Sequence, residues 1–408
     1  FRDDLGIFSG YREQLRTGYP LSLRYLKIAE SAARFSQAGQ YNYGRMLRRK
    51  DRVTAQTMLT DCIKEAMRLM YYREGSYPPH DKWLYHGLMT LQEGSSLSKM
   101  IDELFNYANE ETEKAEVERT AAEKAEGGKV EAVATGRQEG KRVKGLGEKT
   151  EDRLEDIARF LALMLYQTGW ISDTESYLES HTDELLLKAY IAPLSIRALA
   201  EQITETEFAA FDRVRNAGGR ASCQNDWPTF SIMRLSQYLT WKQPMLLQYL
   251  YDFKRELAQG HNLIEEKYGR MMASTAPEEY ARIADRFPFV DERKQEVIEA
   301  IVKIQTGWME DFAKRYPLLA ANARSIHTAE DSIDDTSYET YLRGEITTYS
   351  DKMLEIYGLF VVEYARRGKN LTDAIMLNSV KMYGYEGLEE AEKKAQKNHG
   401  ELGDKFKQ

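Results

Sequence analysis

Between Asn216 and Gln237 the sequence NAGGRASCQNDWPTFSIMRLSQ gathers the residue types that hold small polar molecules. Arg220 and Arg234 carry permanent charge on planar forks that match anionic oxygens. Asn216, Gln224 and Gln237 add amides that both donate and accept. Gly218 and Gly219 permit left-handed backbone and a close approach of N–H groups to an anion, although a helix stop followed by a two-glycine turn explains them equally. Cys223 stands three residues from Arg220, whose charge favours a thiolate that could serve as nucleophile or redox thiol; a small residue in a tight loop is the plainer reading. Further on, GHNLIEEKYGRMM places Asn262, Glu266 and Arg270 on one helical face. The expected ligand site is Asn216, Arg220, Gln224, Arg234, Gln237, Asn262 and Arg343. Glu266 is its acid/base candidate and Cys223 the alternative nucleophile.

Other groups invite chemistry less. His261 is the best-placed histidine for proton transfer, yet it also suits a helix start. Glu207, Asp212, Glu265, Glu266, Glu339 and Glu345 could supply carboxylates to a helical metal site, but the Glu-x-x-His pair such sites use is absent; no metal is expected. Glu339 and Arg343, four apart, read as an ion pair, and Tyr338, Tyr341 and Tyr349 as packing. Near the start, AGQYNYGR (38–45) and PPHDKW (78–83) could wall a polar, aromatic groove, or serve as a helix start and an anchored Trp.

Positioning all this falls to helices. Apolar residues recur at helical spacing almost throughout, and no long period-2 alternation appears. Helices are expected over 20–36, 51–72, 81–91, 97–108, from 151, 174–190, 193–213, 229–240, 245–258, 262–272, 276–286, 291–316, 336–367, 371–382 and 388–397. In the 229–240 helix, Ile232, Leu235 and Leu239 form the core stripe, with Arg234 and Gln237 facing elsewhere. Thr336 and Glu339 fit a capping box. From 109 to 150 Glu, Lys, Ala and Gly dominate and large apolar residues almost vanish, so the segment cannot bury enough to offset its ordering entropy. The expected architecture is all-α: helical domains at 1–108 and 151–395, joined by a charged, partly disordered linker (109–150), with a charged tail (396–408).

Composition narrows the class. The 408 residues, 30% charged and 42% hydrophobic, suit a soluble, cytoplasmic protein with full-sized cores. No apolar run approaches a membrane span, and no signal peptide is visible. A net charge of −8 argues against nucleic acid as the main partner, a local basic patch aside. Cys62 and Cys223 have no CxxC partners, which excludes a disulfide framework or a cysteine-rich zinc site. Phe1 stands where an initiator Met is expected, so the chain reads as a piece of a longer protein with a domain upstream.

Two resemblances carry these motifs further. The Tyr19-Pro20 step, SQAGQYNYGR and PPHDKW make residues 1–108 resemble a bacterial family, number 4037 in the domain-of-unknown-function series: the helical region that follows a nucleotidyltransferase domain. That implies a missing N-terminal nucleotidyltransferase domain and a bundle that helps hold its acceptor. The catalytic signature of such enzymes, a Gly-Ser turn with paired aspartates in a strand, is absent; Gly75-Ser76 leads into a proline turn. Arg73 and His80 match the Arg-x6-His spacing of HEPN-type ribonucleases, but Pro78-Pro79 interrupts the helix that motif needs. NAGGRASCQ, TFSIMRLSQ, GHNLIEEKYGRMM and TSYETYLRGE make 155–395 resemble family 4125 of the same series, which implies no reaction.

The functional expectation is therefore an accessory, substrate-binding helical region of a nucleotidyltransferase-like protein, its second domain holding a small anionic or hydroxylated ligand; no cofactor is specified. Two alternatives stand beside it: a second domain that is itself an enzyme using a carboxylate or Cys223, and a protein-interaction scaffold.

Overall fold

The computed structural model describes residues 3–106, 146–215, 219–321, 323–333 and 335–405, and among them every regular element is helical. The all-α expectation holds, and no helix there is long and apolar enough to cross a membrane. The segment expected as a linker, 109–150, falls outside the described residues up to 145, as does Asn216. The chain divides into two compact units, Phe1–Pro193 and Leu194–Gln408.

In the first unit, α1 (Ile7–Arg16) is followed by α2 (Leu21–Phe35), which starts at Pro20 as the sequence suggests. A π-helical segment, Ser36–Tyr43, leads into α3 (Gly44–Arg48), α4 (Arg52–Glu74), α5 (Asp81–Leu88), α6 (94–106), α7 (Leu146–Gln167) and α8 (Thr182–Ile191). α2 lies between α4 and α8. Ile28, Ala32 and Phe35 from α2 meet a core that includes Leu59, Cys62, Leu69 and Met70 of α4, all fully buried. The π segment approaches α4 so closely that a Cβ on Gly39 would lie 2.3 Å from the Cys62 Sγ, a contact only glycine permits. α7 and α8 pack with these elements, so the packing boundary comes after Pro193 and the composition change well before it.

The second unit contains α9 (Ile196–Phe211), α10 (Trp227–Tyr238), α11 (Gln243–Ala258), α12 (Leu263–Thr275), the short α13 (Pro277–Tyr280), α14 (Glu292–Arg315), α15 (Pro317–Ala321), α16 (Tyr338–Thr347), α17 (Asp351–Arg366), α18 (Leu371–Met382) and α19 (Leu388–Lys405). One cluster centres on Met309, Phe312, Val380, Leu388 and Ala391. Five expectations need correction. The helix expected over 174–190 starts only at Thr182, after a 3₁₀ turn at Leu178–His181. α9 ends at Phe211, well before the glycine pair. The helix expected over 276–286 shrinks to α13 and a 3₁₀ turn. The helix expected over 336–367 is two, because the Ser350 Oγ accepts the Met353 N–H at 3.0 Å and starts α17 afresh. α16 is capped by Ser337, whose Oγ accepts the Thr340 N–H at 3.2 Å, rather than by a Thr336–Glu339 box.

Candidate functional site

Helical spacing brings the site of the second unit together. On α10, Met233, Arg234 and Gln237 fall within one turn; on α14, Gln305 and Met309 are four apart. On α16, Tyr338, Tyr341, Leu342 and Glu345 run at i, i+3, i+4 and i+7. On α18, Thr372, Ile375 and Met376 repeat the pattern. With Tyr357 of α17, and Ala323, Arg324 and Asp335 from the connection before α16, they line a cavity of about 490 Å³. Its rim is exposed at Arg324, Asp335 and Met233; Arg234, Glu345, Leu342, Met309, Gln305 and Tyr357 are buried. Three tyrosines and three methionines, with Ala323, Leu342 and Ile375, make its apolar walls.

Below this cavity lies a closed ionic network. Arg234 grips Glu207 of α9 with both Nε–Oε2 and Nη2–Oε1 at 2.7 Å. Its Nη1 donates to Glu345 Oε2 at 2.8 Å and to Gln237 Oε1 at 3.2 Å, and its Nη2 also donates to the Tyr238 hydroxyl. All five guanidinium N–H groups are thereby used. Glu207 additionally accepts from the Tyr238 and Tyr249 hydroxyls at 2.6 and 2.7 Å. Glu345 accepts from Lys267 Nζ at 2.7 Å, Gln237 Nε2 at 3.0 Å and the Tyr349 hydroxyl at 3.1 Å. Two cations thus balance two carboxylates. Burial would raise the Glu345 pKa, but the charges of Arg234 and Lys267 outweigh it and hold the carboxyl well below the usual carboxylate range. Burial would likewise lower the Arg234 pKa, and Glu207 and Glu345 reverse that, keeping it charged. Burial, reinforced by neighbouring carboxylates, pushes the Tyr238, Tyr249 and Tyr349 phenols well up, so they act as donors.

The α10 helix therefore turns a face to the interior other than the expected one. Arg234 and Tyr238 are buried, whereas Ile232, Leu235 and Leu239 are only partly so. A charge of this kind faces inward when its partners meet every N–H; those partners lie 27 and 111 residues away.

Of the expected site residues, the cavity joins only Arg234 and Gln237. Arg220 pairs with Asp212 at 2.5 Å and bonds Asn225 Oδ1 at 2.9 Å, closing its own loop. Gln224 is buried as a plug in that loop, donating to the Phe211 and Val214 carbonyls at 2.8 and 3.1 Å and accepting from the Ala221 N–H at 2.9 Å. Asn262 starts α12, accepting from the Ile264 N–H at 3.0 Å, and donates to the Ala210 carbonyl at 2.9 Å. Glu266 is locked between Arg270 Nε at 2.6 Å and His261 Nε2 at 2.9 Å, with the other nitrogen of His261 2.9 Å from Glu256. Arg343 forks onto Glu299 at 2.8 and 3.1 Å and onto Glu339 at 2.7 Å. Cys223 is exposed and lines no part of the cavity. Arg220, Gln224, Asn262, Glu266 and Arg343 serve separate structural tasks, each held by its own backbone or charged partner.

The sequence reads Tyr338 and Tyr341 as packing and does not single out Tyr357, Met309, Met376 or Arg324. The stripe Tyr338, Tyr341, Leu342, Glu345 was the available signal: a helix face ending in a carboxylate. Arg324 lies 4.9 Å from the Tyr341 ring centroid, and Lys267 lies 3.7 Å from it. Among the described residues no group of three or more His, Cys, Asp or Glu could hold a metal ion. In the first unit, AGQYNYGR and PPHDKW serve separate places: Arg45 stacks on Tyr41 at 4.6 Å and Trp83 sits edge-on to His86 at 6.1 Å. Arg73 is buried against Glu74 and the Gln92 carbonyl, whereas the His80 ring accepts from the Lys82 N–H at the start of α5.

Residues 197–393, which hold the whole cavity, match the family model described as Protein of unknown function (DUF4125). Residues 1–84 match the model described as Domain of unknown function (DUF4037). The first match begins three residues inside the second compact unit. No curated protein and no solved structure matches the chain.

Proposed function

For a chain that joins a DUF4037 domain to a DUF4125 domain, we propose that the second binds a small molecule in the cavity between α10, α14, α16 and α18. The observation that carries this is a cavity of about 490 Å³, within the range of small-molecule sites, with apolar walls and a few convergent polar groups. The lining constrains the ligand. Arg234 has no N–H to spare, so an anion cannot be gripped there without breaking the network. The ligand's body is therefore flat or aliphatic and rests on Tyr338, Tyr341, Tyr357, Met309 and Met376. Its anionic or hydroxylated end lies at the rim, within reach of Arg324, which makes no ion pair among the described residues. For the whole chain the reading is an accessory, substrate-holding region of a nucleotidyltransferase-like protein, supported by the resemblance of residues 1–108 to the helical region behind such a domain.

A thermal-shift screen of nucleotides, aromatic acids and polyols tests the cavity. Compounds that stabilise the chain should lose their effect in Met376→Trp, which fills the space. Those with an anionic end should weaken in Arg324→Ala, whose ligand-free melting temperature is measured alongside because Arg324 also donates to the Thr336 carbonyl. Equal stabilisation of the parent and both variants would place the ligand elsewhere.

One observation favours a second reading, a protein-interaction scaffold. Ile7, Phe8, Tyr11 and Leu15 form a stripe on α1 that is 51 to 62% exposed. Light scattering of the chain and of Phe8→Ser/Tyr11→Ser decides it: association that persists in the double variant rejects that role for α1.

A further inference from the structure

Five cations fall within eight residues where α3 turns into α4: Arg45, Arg48, Arg49, Lys50 and Arg52. All but Arg45 are exposed, and Arg45 is half-buried. In a chain of net charge −8, whose other described arginines mostly meet carboxylates, this turn is left largely uncompensated among the described residues. Arg48 reaches Glu151 at 3.5 Å; Arg45, Arg49, Lys50 and Arg52 make no ion pair among the described residues. The one acid in the run, Asp51, spends its oxygens on the Thr54 N–H at 3.0 Å and the Thr54 hydroxyl at 2.7 Å.

The turn is also fixed in shape. Lys50 takes a left-handed φ of 62°, and the N–H groups of Arg49, Lys50 and Asp51 bond the carbonyls of Arg45, Leu47 and Met46 at 3.1, 2.9 and 3.0 Å. With those N–H groups occupied, an anion would be met by side chains. Beside them lies Tyr41, 50% exposed, with Arg45 stacked on its ring. A planar cation over an aromatic face next to unpaired arginines combines the two elements that hold a nucleic-acid strand: charge along the backbone and a surface on which bases stack. A bilayer would instead call for large apolar side chains beside the charge, and in this turn only Val53, 81% exposed, is both apolar and open.

We propose that Tyr41 and the turn Arg45–Arg52 form a docking surface for single-stranded nucleic acid, held through its phosphates and one stacked base. This surface lies in the first unit and is independent of the ligand cavity.

Fluorescence anisotropy of the full chain with end-labelled oligouridylate and oligothymidylate tests it, the pair separating RNA from DNA. Binding should weaken steeply between roughly 50 and 200 mM salt. In Arg45→Gln/Arg49→Gln/Arg52→Gln the log–log salt slope should fall by about 2, at roughly 0.7 per phosphate contact on a single strand. Tyr41→Ala should weaken binding on the order of tenfold. An unchanged melting curve for both variants shows that the fold is intact. Absence of oligonucleotide binding at low salt, or an unaltered affinity and slope in the triple variant, overturns the proposal. So does binding confined to vesicles containing phosphatidylglycerol.

Discussion

Arg234 and Glu207 meet through two parallel hydrogen bonds of 2.7 Å in the interior of the second unit, where the first is 4% exposed and the second not at all. The pair ties α10 to α9, and through Glu345 Arg234 ties both to α16. Removing one member strands charge in a place water cannot reach. Arg234→Met should cost about 3–5 kcal/mol in chemical denaturation. Arg234→Met/Glu207→Leu, which leaves Lys267 and Glu345 as a balanced pair, should recover a large part of that. Strict additivity of the two single changes would contradict a direct coupling.

The same network fixes a pH dependence. Glu345 titrates well below its unfolded value, roughly 4.3. The stability it contributes is therefore complete above that unfolded value and is lost as pH falls toward the folded one. Urea denaturation at neutral pH and near pH 3.5 should show a marked loss in the parent chain. Glu345→Gln should be less stable at neutral pH but lose less on acidification. A parallel loss in both would assign the acid sensitivity to other groups.

What the sequence displayed of this arrangement, and what it hid, follows from distance along the chain. Helical periodicity is local, so α2, α4, α10 and α18 were legible to within a few residues. The end of α16 was not: Ser350 is a favoured N-cap residue, but within a continuous helical pattern it does not announce a new helix start, nor its donation to Asp252, 98 residues away. Arg234 and Gln237 stand out as polar residues off the expected core stripe of Ile232, Leu235 and Leu239, but whether Arg234 faces a ligand or a buried carboxylate depends on Glu207 and Glu345. Arg220, Gln224 and Asn262 lie outside the cavity for a different reason. Gln224 meets the nearby Phe211 and Val214 carbonyls, Arg220 meets the Asp212 carboxylate, and Asn262 starts α12 while donating to the Ala210 carbonyl 52 residues away; polar side chains in loops meet such groups first.

Gly39 offers a test of the first unit. Gly39→Ala would press a methyl group against the Cys62 Sγ and should destabilise by about 1–3 kcal/mol. Cys62→Ala should relieve much of that cost in the double variant, although alone it leaves a small void. No rescue would mean that the π segment moves away from α4 rather than bearing on it.

The two cysteines should behave differently toward a thiol reagent. Exposed Cys223 should react at once in the native chain, and buried Cys62, whose thiol pKa burial pushes well up, only on unfolding. Alkylating Cys223 should leave ligand binding unchanged, since it lies outside the cavity. Loss of binding on alkylation would revive the thiol as a functional group.

Whether the cavity takes up a ligand is read most directly from the ligand-induced shift in melting temperature of the parent chain against Met376→Trp. A ligand at about 100 times its Kd should add about 2.7 kcal/mol to the parent, a rise of several degrees for a domain of this size. Met376→Trp, folded by circular dichroism, should show no such rise. An equal rise in both proteins would contradict uptake in the cavity.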